Sequence, residues 1–365
     1  MKIKDIIQSI ETLAPLALQE SYDNAGLIIG DSNAEFTKAL ICIDVTGSVI
    51  EEARKKGCNL IISHHPLIFG GISKITNNSY EGNCIIKAIQ NNIAVYAAHT
   101  NLDNVINGVN SVLCKKLGLI NCRILKPKKN ILKKLVTFCP TDHAEKVRKA
   151  LFDAGAGHIG NYDCCSFNAD GSGSFRALEN ANPFVGNINK LHFEKEVKIE
   201  TIYPAYIEKK LLKALFSSHP YEEVAYDLYQ LDNEFSNAGE GMIGELKNAS
   251  EVKTFLHKIK TVTATGVIRH TEITKKKIIK VAVCGGAGGF LIKDAIAAGA
   301  DIFITADLKY HQFFYGQSGI IIADIGHFES EQFAKEILVD FLSKNFPTFA
   351  FLISKTKTNP VYYFS

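Results

Sequence analysis

Two adjacent imidazoles close an apolar run in Ile61-Ile62-Ser63-His64-His65-Pro66. Proline cannot donate to a β-ladder, so the run predicts a buried strand that stops there and delivers both side chains at its tip. Two other runs end in the same way. Ala94-Val95-Tyr96-Ala97-Ala98 leads into His99-Thr100-Asn101-Leu102-Asp103, and Ile320-Ile321-Ile322-Ala323 leads into Asp324-Ile325-Gly326-His327-Phe328-Glu329-Ser330-Glu331. Ligands of open parallel sheets collect beyond the carboxyl ends of the strands, so three such ends would bring imidazole and carboxylate to one crevice. His327 and Glu331 are four residues apart at the start of a helical pattern, which puts them on one face, and Ala334 and Leu338 continue that face inward. The alternative for Glu331 is a surface pair with Lys335.

His64, His65, Asp103, His327 and Glu331 together offer three imidazoles and two carboxylates. Such donors suit zinc, iron, manganese or nickel, and the lack of thiolates argues against a structural zinc site. A single catalytic zinc usually takes three protein ligands. Five donors, one of them a carboxylate able to bridge, are enough for two divalent ions roughly 3.5–4 Å apart. A pair of ions supplies hydrolysis: it lowers the pKa of a bound water toward about 7 and polarises the electrophile.

His99 could donate a proton or orient a ligand, and could equally be a hydrogen-bonded core histidine. Lys309 and His311 follow another strand end, where their charge would suit an anionic substrate; a surface loop is the alternative. Gly285 to Gly289 follows a strand and opens a helix, the setting of a phosphate loop. It matches neither nucleotide fingerprint, because Leu291 stands where the third glycine belongs and no Gly-Lys-Ser/Thr closes the loop. A tight turn is the expectation there.

The elements that must position these residues alternate. A helical pattern over residues 3 to 18 and the turn Ser21 to Gly26 precede strand Ala39–Val45, helix Ser48–Lys56, strand Asn59–Ile62, helix Asn83–Asn91, strand Ala94–Ala98 and helix Val109–Leu117. From Ile278 the same style resumes with strands Ile278–Cys284, Asp301–Ile304 and Ile320–Ala323, helix Phe328–Leu342 and a last strand Thr348–Ile353. Between them, strand Leu135–Cys139, helix Ala144–Ala154, a Gly-, Asn- and Ser-rich stretch, strand Val197–Tyr203, helix Tyr206–Phe216 and strand Val224–Leu231 predict a β-α-β-β-α-β plan. The expected architecture is therefore α/β: two halves with largely parallel sheets, residues 1–126 and 242–365, form one metal-site module, and a ferredoxin-like α+β domain at 127–241 interrupts them.

The chain's 365 residues allow two domains or one with an insertion. A net charge of +3 gives no electrostatic footprint for nucleic acid, and the basic runs Lys126 to Lys134 and Lys275 to Lys280 abut strands as solvated linkers. The start of the chain lacks the apolar core of a signal peptide and no segment approaches the ~20 apolar residues of a span, so a cytoplasmic protein is expected. Nine scattered cysteines without C-x-x-C spacing predict reduced, buried thiols, with the vicinal Cys164-Cys165 pair as the one redox candidate.

Five sequence words, Tyr22-Asp23-Asn24-Ala25-Gly26-Leu27, Ser63-His64-His65-Pro66-Leu67, His99 to Asp103, Asp307-Leu308-Lys309-Tyr310-His311 and Gly326 to Glu331, resemble those of the GTP cyclohydrolase 1 type 2 family of dinuclear-metal proteins. The resemblance spans both halves. It implies that His64, His65, Asp103, His327 and Glu331 are metal ligands, with Glu331 the shared carboxylate. It also implies a toroidal homo-hexamer with sites facing an internal cavity, and a PII-like or CutA-like insertion that includes His219-Pro220-Tyr221-Glu222-Glu223. Tyr22 and Ala306 depart from the family's usual tryptophan and glycine without touching a ligand position. The family's named reaction opens the imidazole ring of GTP toward formate and dihydroneopterin triphosphate; His99, Lys309 and His311 would then serve proton transfer and triphosphate contact. A small-molecule substrate, a nucleotide among the candidates, is expected. Two other functions fit the same residues: a metal-dependent phosphoester or cyclic-amide hydrolase, and a ring-shaped regulatory or adaptor protein with structural metals.

Overall fold

A computed structural model describes residues 1–364. They divide into two compact units, one made of residues 1–127 with 237 onward and the other of residues 128–236. The result is a mixed α/β fold with several sheets. No helix among the described residues is long and apolar enough to cross a membrane.

The first unit contains two sheets. In one, strands Ala350–Ile353, Lys38–Cys42, Leu60–Ser63 and Ala94–Ala97 run parallel in that spatial order, and Gly26–Ile29 adds antiparallel at the far edge. In the other, Lys277–Ala287, Ile302–Ala306 and Ile321–Asp324 are parallel neighbours, flanked antiparallel by Phe235–Glu251 and Arg269–His270, with Leu119–Lys128 at one edge.

One arrangement differs from the expected halves. The last strand does not extend the second sheet; it pairs parallel with Lys38–Cys42, Phe351 opposite Ala39. Helix Ala334–Asn345, which precedes it, buries Ala334, Leu338 and Leu342. The expected helix from Phe328 is two helices, His327–Glu331 and Ala334–Asn345. The C-terminal stretch thereby crosses from one sheet to the other.

Local chemistry explains why the strands end where they do. Helix Gly47–Lys56 starts at Thr46, whose side chain accepts from the Val49 N–H at 3.2 Å, and ends at Gly57 in the left-handed region (φ 68°) behind Arg54, Lys55 and Lys56. An N-cap hydroxyl, basic residues in the last turn and a left-handed glycine each favour that boundary. The chain then reverses into Leu60–Ser63, every residue of which is buried. Side chains such as Leu40, Ile61 and Val95 fill the layer beneath, each contributing about 1.5–3 kcal/mol by burial. The ladder continues two residues past the strand, His64 N–H donating to Cys42 O and His65 N–H to Ile43 O, until Pro66, which has no N–H, stops it.

In the unit of residues 128–236, strands Leu132–Pro140, Phe167–Arg176, Leu191–Pro204 and Tyr226–Gln230 form an antiparallel sheet. Helices Ala144–Asp153 and Glu208–Ser218 cover one face through Leu135, Val147, Val197, Ile199, Leu211 and their neighbours. The strand Phe167–Arg176 falls largely in the stretch that reads as Gly-, Asn- and Ser-rich.

Candidate metal centre

The first imidazole is fixed by backbone. His64 is fully buried, and its Nδ1–H donates to the Ala98 carbonyl at 2.8 Å, just past the strand that ends at Ala97. A carbonyl only accepts, so Nδ1 carries the proton and Nε2 presents a lone pair. His65 is fixed by a carboxylate: its Nδ1–H donates to Asp44 Oδ1 at 2.7 Å.

The second sheet supplies the facing donors. Gly326, at φ 92°, turns the chain into the short helix that holds His327 and Glu331. His327 Nδ1–H donates to Asp307 Oδ2 at 2.7 Å, and Asp307 itself sits in the left-handed region (φ 55°) just beyond its strand. Glu331 is buried against the glycine stretch. A Cβ at Gly286 would lie 2.2 Å from Glu331 Oε1, and Gly286 has φ +64°, so both space and backbone require glycine there. The Gly286 N–H donates to Ser330 Oγ and the Gly285 N–H to Asn110 Oδ1. The glycine-rich turn therefore seats a carboxylate-bearing helix.

Glu331 Oε2 lies 2.9 Å from His65 Nε2, 2.9 Å from His327 Nε2 and 3.8 Å from His64 Nε2. His65 and His327 Nε2 are 3.3 Å apart, and His64 Nε2 is 3.6 Å from Asp103 Oδ1. Ligand atoms of His64, His65 and Glu331 lie within 4.8 Å of one another. Two of the donor atoms, His64 Nε2 and Asp103 Oδ1, are buried and have no hydrogen-bond partner. Burying a polar atom without a partner costs about 1–3 kcal/mol, so a pair of orphans facing each other fits a site that takes a cation. The donor set, nitrogen and oxygen without sulfur, fits hard or borderline divalent ions.

The electrostatics demand positive charge. Burial works against an imidazolium at His65, but Asp44 and Glu331 outweigh it and lift the group to about 9. At His327 burial is likewise outweighed by Asp307 and Glu331, and the value rises to about 11. Burial would raise Glu331, yet the close imidazoles of His65 and His327, with the His64 ring beside them, hold it well below the usual carboxylate range. At Asp103 burial prevails over His64 and pushes the carboxyl up to about 6.

His99 also lines the centre. Its ring centroid is 5.4 Å from those of His64 and His65, and its Nδ1–H donates to Asp23 Oδ1 at 2.7 Å. Burial would raise Asp23, but bonds from His99 and Thr100 bring it down to about 2. Lys309 and His311 stand apart: both are exposed, His311 stacks on Phe314, and neither lines a cavity at the histidines. Sequence reasoning gave no role to Asp44, Asp307 and Asp23, the carboxylates behind three of the imidazoles. The available signal was an aspartate just past a strand end, at Asp44 after Cys42 and Asp307 after Ala306, but such aspartates are also ordinary turn residues.

Two cavities open on the cluster, and His65 and His327 line both. One, of about 340 Å³, is walled by Tyr22, Phe69, His99, Asp103, Glu240 and Phe290, and among the described residues no lysine or arginine lines it. Tyr22 and Phe69 stack at its mouth with centroids 6.4 Å apart. The other, of about 390 Å³, is bordered by Asp44, Arg269, Asp307, Asn359 and Tyr363.

The chain is similar over most of its length to known proteins. A Bacillus subtilis protein named GTP cyclohydrolase 1 type 2 homolog is 39% identical over 98% of this chain and 97% of its own length. A Halalkalibacterium halodurans protein of the same name is 41% identical over 88% and 87%. A solved Bacillus cereus structure, described as a protein related to NIF3, superposes with a TM-score of 0.88 at 39% identity, covering 100% of this chain and 99% of the other. Since the profile of that family also matches residues 1–360, the chain belongs to the Duf34/NIF3 (NGG1p interacting factor 3) family.

Proposed function

We propose that the protein is a metal-dependent hydrolase that opens a planar nitrogen heterocycle, with two divalent ions (zinc, iron, manganese or nickel) held by His64, His65, Asp103, His327 and Glu331. The observation that carries this reading is the pair of buried, partnerless donors, His64 Nε2 and Asp103 Oδ1, 3.6 Å apart beside the Glu331 carboxylate. Bound divalent ions there would activate water and polarise the electrophile. The chain's own residues do the rest. Tyr22 and Phe69 offer stacked faces for a ring. Asp23 fixes the His99 tautomer so that Nε2 is the atom that holds or passes a proton. Asp44 and Asp307 orient His65 and His327 through Nδ1.

The name carried by the Bacillus subtilis and Halalkalibacterium halodurans relatives makes GTP the first substrate to test. The cavity suits its base better than its phosphates, because its imidazoles are committed to the ion site and, among the described residues, no lysine or arginine lines it. Lys309 and His311 are exposed, so we assign them contact with a triphosphate only where it projects beyond the cavity. We further read the unit of residues 128–236 as a ferredoxin-like insertion, supported by its β-α-β-β-α-β order and antiparallel pairing, and the assembly as a homo-hexamer in the cytoplasm. Metal-loaded protein incubated with GTP is expected to release formate, and His65→Ala to abolish the release. Formate no higher than that of His65→Ala, with metal retained by the unaltered protein, would remove GTP while leaving the metal site standing.

A further inference from the structure

The unit of residues 128–236 contains a cavity of about 800 Å³, larger than either at the histidines and within the range of small-molecule sites. Its floor is the sheet face opposite the two helices, and its roof is the segment of residues 177–184. That roof is tied down where the Asn182 N–H donates to Glu222 Oε1 at 2.8 Å and the Asn189 N–H to Ala177 O at 2.7 Å. Aromatic rings dominate the walls: Phe138, Phe175, Phe184 and Tyr221. Tyr221 lies 5.9 Å from Phe175 and 6.3 Å from Phe184, centroid to centroid.

One carboxylate reaches this aromatic space from the floor. Glu196 is only 9% exposed, and its Oε1 accepts from the Tyr221 hydroxyl at 2.9 Å. Among the described residues no lysine, arginine or histidine forms an ion pair with it; Lys198, on the same sheet face, is engaged by Glu200. Room for the carboxylate comes from the neighbouring strand. A Cβ at Gly173 would sit 2.1 Å from Glu196 Oε2, so a side chain there would evict it. The remaining charge is also acidic, with Asp170, Glu222 and Glu223 against Arg176 and the engaged Lys198. A buried carboxylate lacking a counter-ion is costly, and rings around it attract cations through their faces.

We propose that this cavity binds an organic ammonium ion, an amine carried on an aromatic or compact apolar body, with Glu196 as counter-ion and Phe138, Phe175, Phe184 and Tyr221 as its cage. Nothing in this assignment depends on the metal centre. Tryptamine is a suitable probe, because its indole emission can be followed selectively in a chain with no tryptophan. Titrated with the full-length protein, tryptamine should give a saturable rise in fluorescence anisotropy. Tryptophol, a neutral alcohol of the same shape, should bind about tenfold more weakly or worse, and indole-3-propionate should not bind. Glu196→Gln should weaken tryptamine binding about tenfold while leaving the circular dichroism spectrum unchanged. Should that variant misfold, Phe184→Ala on the exposed roof should weaken binding about threefold. Absence of saturable tryptamine binding, equal binding of tryptamine and indole-3-propionate, or affinity unchanged in the folded variants would overturn the assignment.

Discussion

Glu331 Oε2 has two imidazole nitrogens at 2.9 Å, and each of those rings is pinned from behind by an aspartate. Pinning fixes the tautomer, so Asp44→Asn should weaken divalent-ion affinity about 10–100-fold, measured by chelator competition, with the melting temperature little changed. Gly286→Ala should be harsher, since its methyl would meet the carboxylate and its φ of +64° disfavours a side chain. A loss of about 1–3 kcal/mol in denaturant unfolding, together with lost ion binding, is expected. The titration behaviour has a definite sign. His65 at about 9 and His327 at about 11 lie above the free imidazole value, so their protons stabilise chelator-treated protein fully below about 6.5. That contribution fades as pH rises through 9 and beyond. Ion binding must displace the same protons, so apparent affinity should climb over that window, and calorimetry in buffers of different ionisation enthalpy should register proton release.

At the scale of elements, the C-terminal stretch is the part whose placement the sequence hid. Its strand is apolar and legible as a strand, but which sheet it joins is decided by a long-range parallel pairing with Lys38–Cys42 that no local pattern encodes. Glu52 holds the segment that follows. Its carboxylate accepts from the Ser354 and Thr356 hydroxyls and from the Lys355 and Thr356 N–H groups, and beyond them Thr358 Oγ1 donates to Asp44 Oδ2. Burial opposes the charge, yet these bonds and Lys56 keep Glu52 well below the usual carboxylate range. The stabilisation is therefore present above the unfolded value near 4.3 and lost as pH falls through the folded one. Glu52→Ala should cost about 2 kcal/mol or more at neutral pH in denaturant unfolding, and should loosen the ion site through Thr358 and Asp44. Strand Phe167–Arg176 was illegible for another reason. Gly171, Ser172, Gly173 and Ser174 have low intrinsic strand preference, and the strand exists because it pairs with Leu191–Pro204 and makes space for Glu196. The ligand-bearing strand ends were readable because continuous apolar runs stop at His64 and Ala98, where nothing but a buried strand would satisfy both the run and its polar end.

For the whole molecule, donors more than 260 positions apart in the chain meet because two sheets of one unit present their strand ends to each other. That unit leaves for residues 128–236 and returns close to the same point: a Cβ on Gly239 would lie 2.2 Å from Lys126 O. Replacing residues 128–236 by a short Gly/Ser linker should therefore preserve divalent-ion stoichiometry. Loss of ion binding in the folded, shortened chain would show that the inserted unit is needed for the centre. The most direct measurement is elemental analysis of full-length protein after loading with zinc or manganese and exhaustive dialysis, alongside Glu331→Gln. About two ions per chain in the unaltered protein, falling toward none in the variant, is the expected result. No retained ion in the unaltered protein, or the same content in both, would contradict the assignment of the cluster as a metal centre.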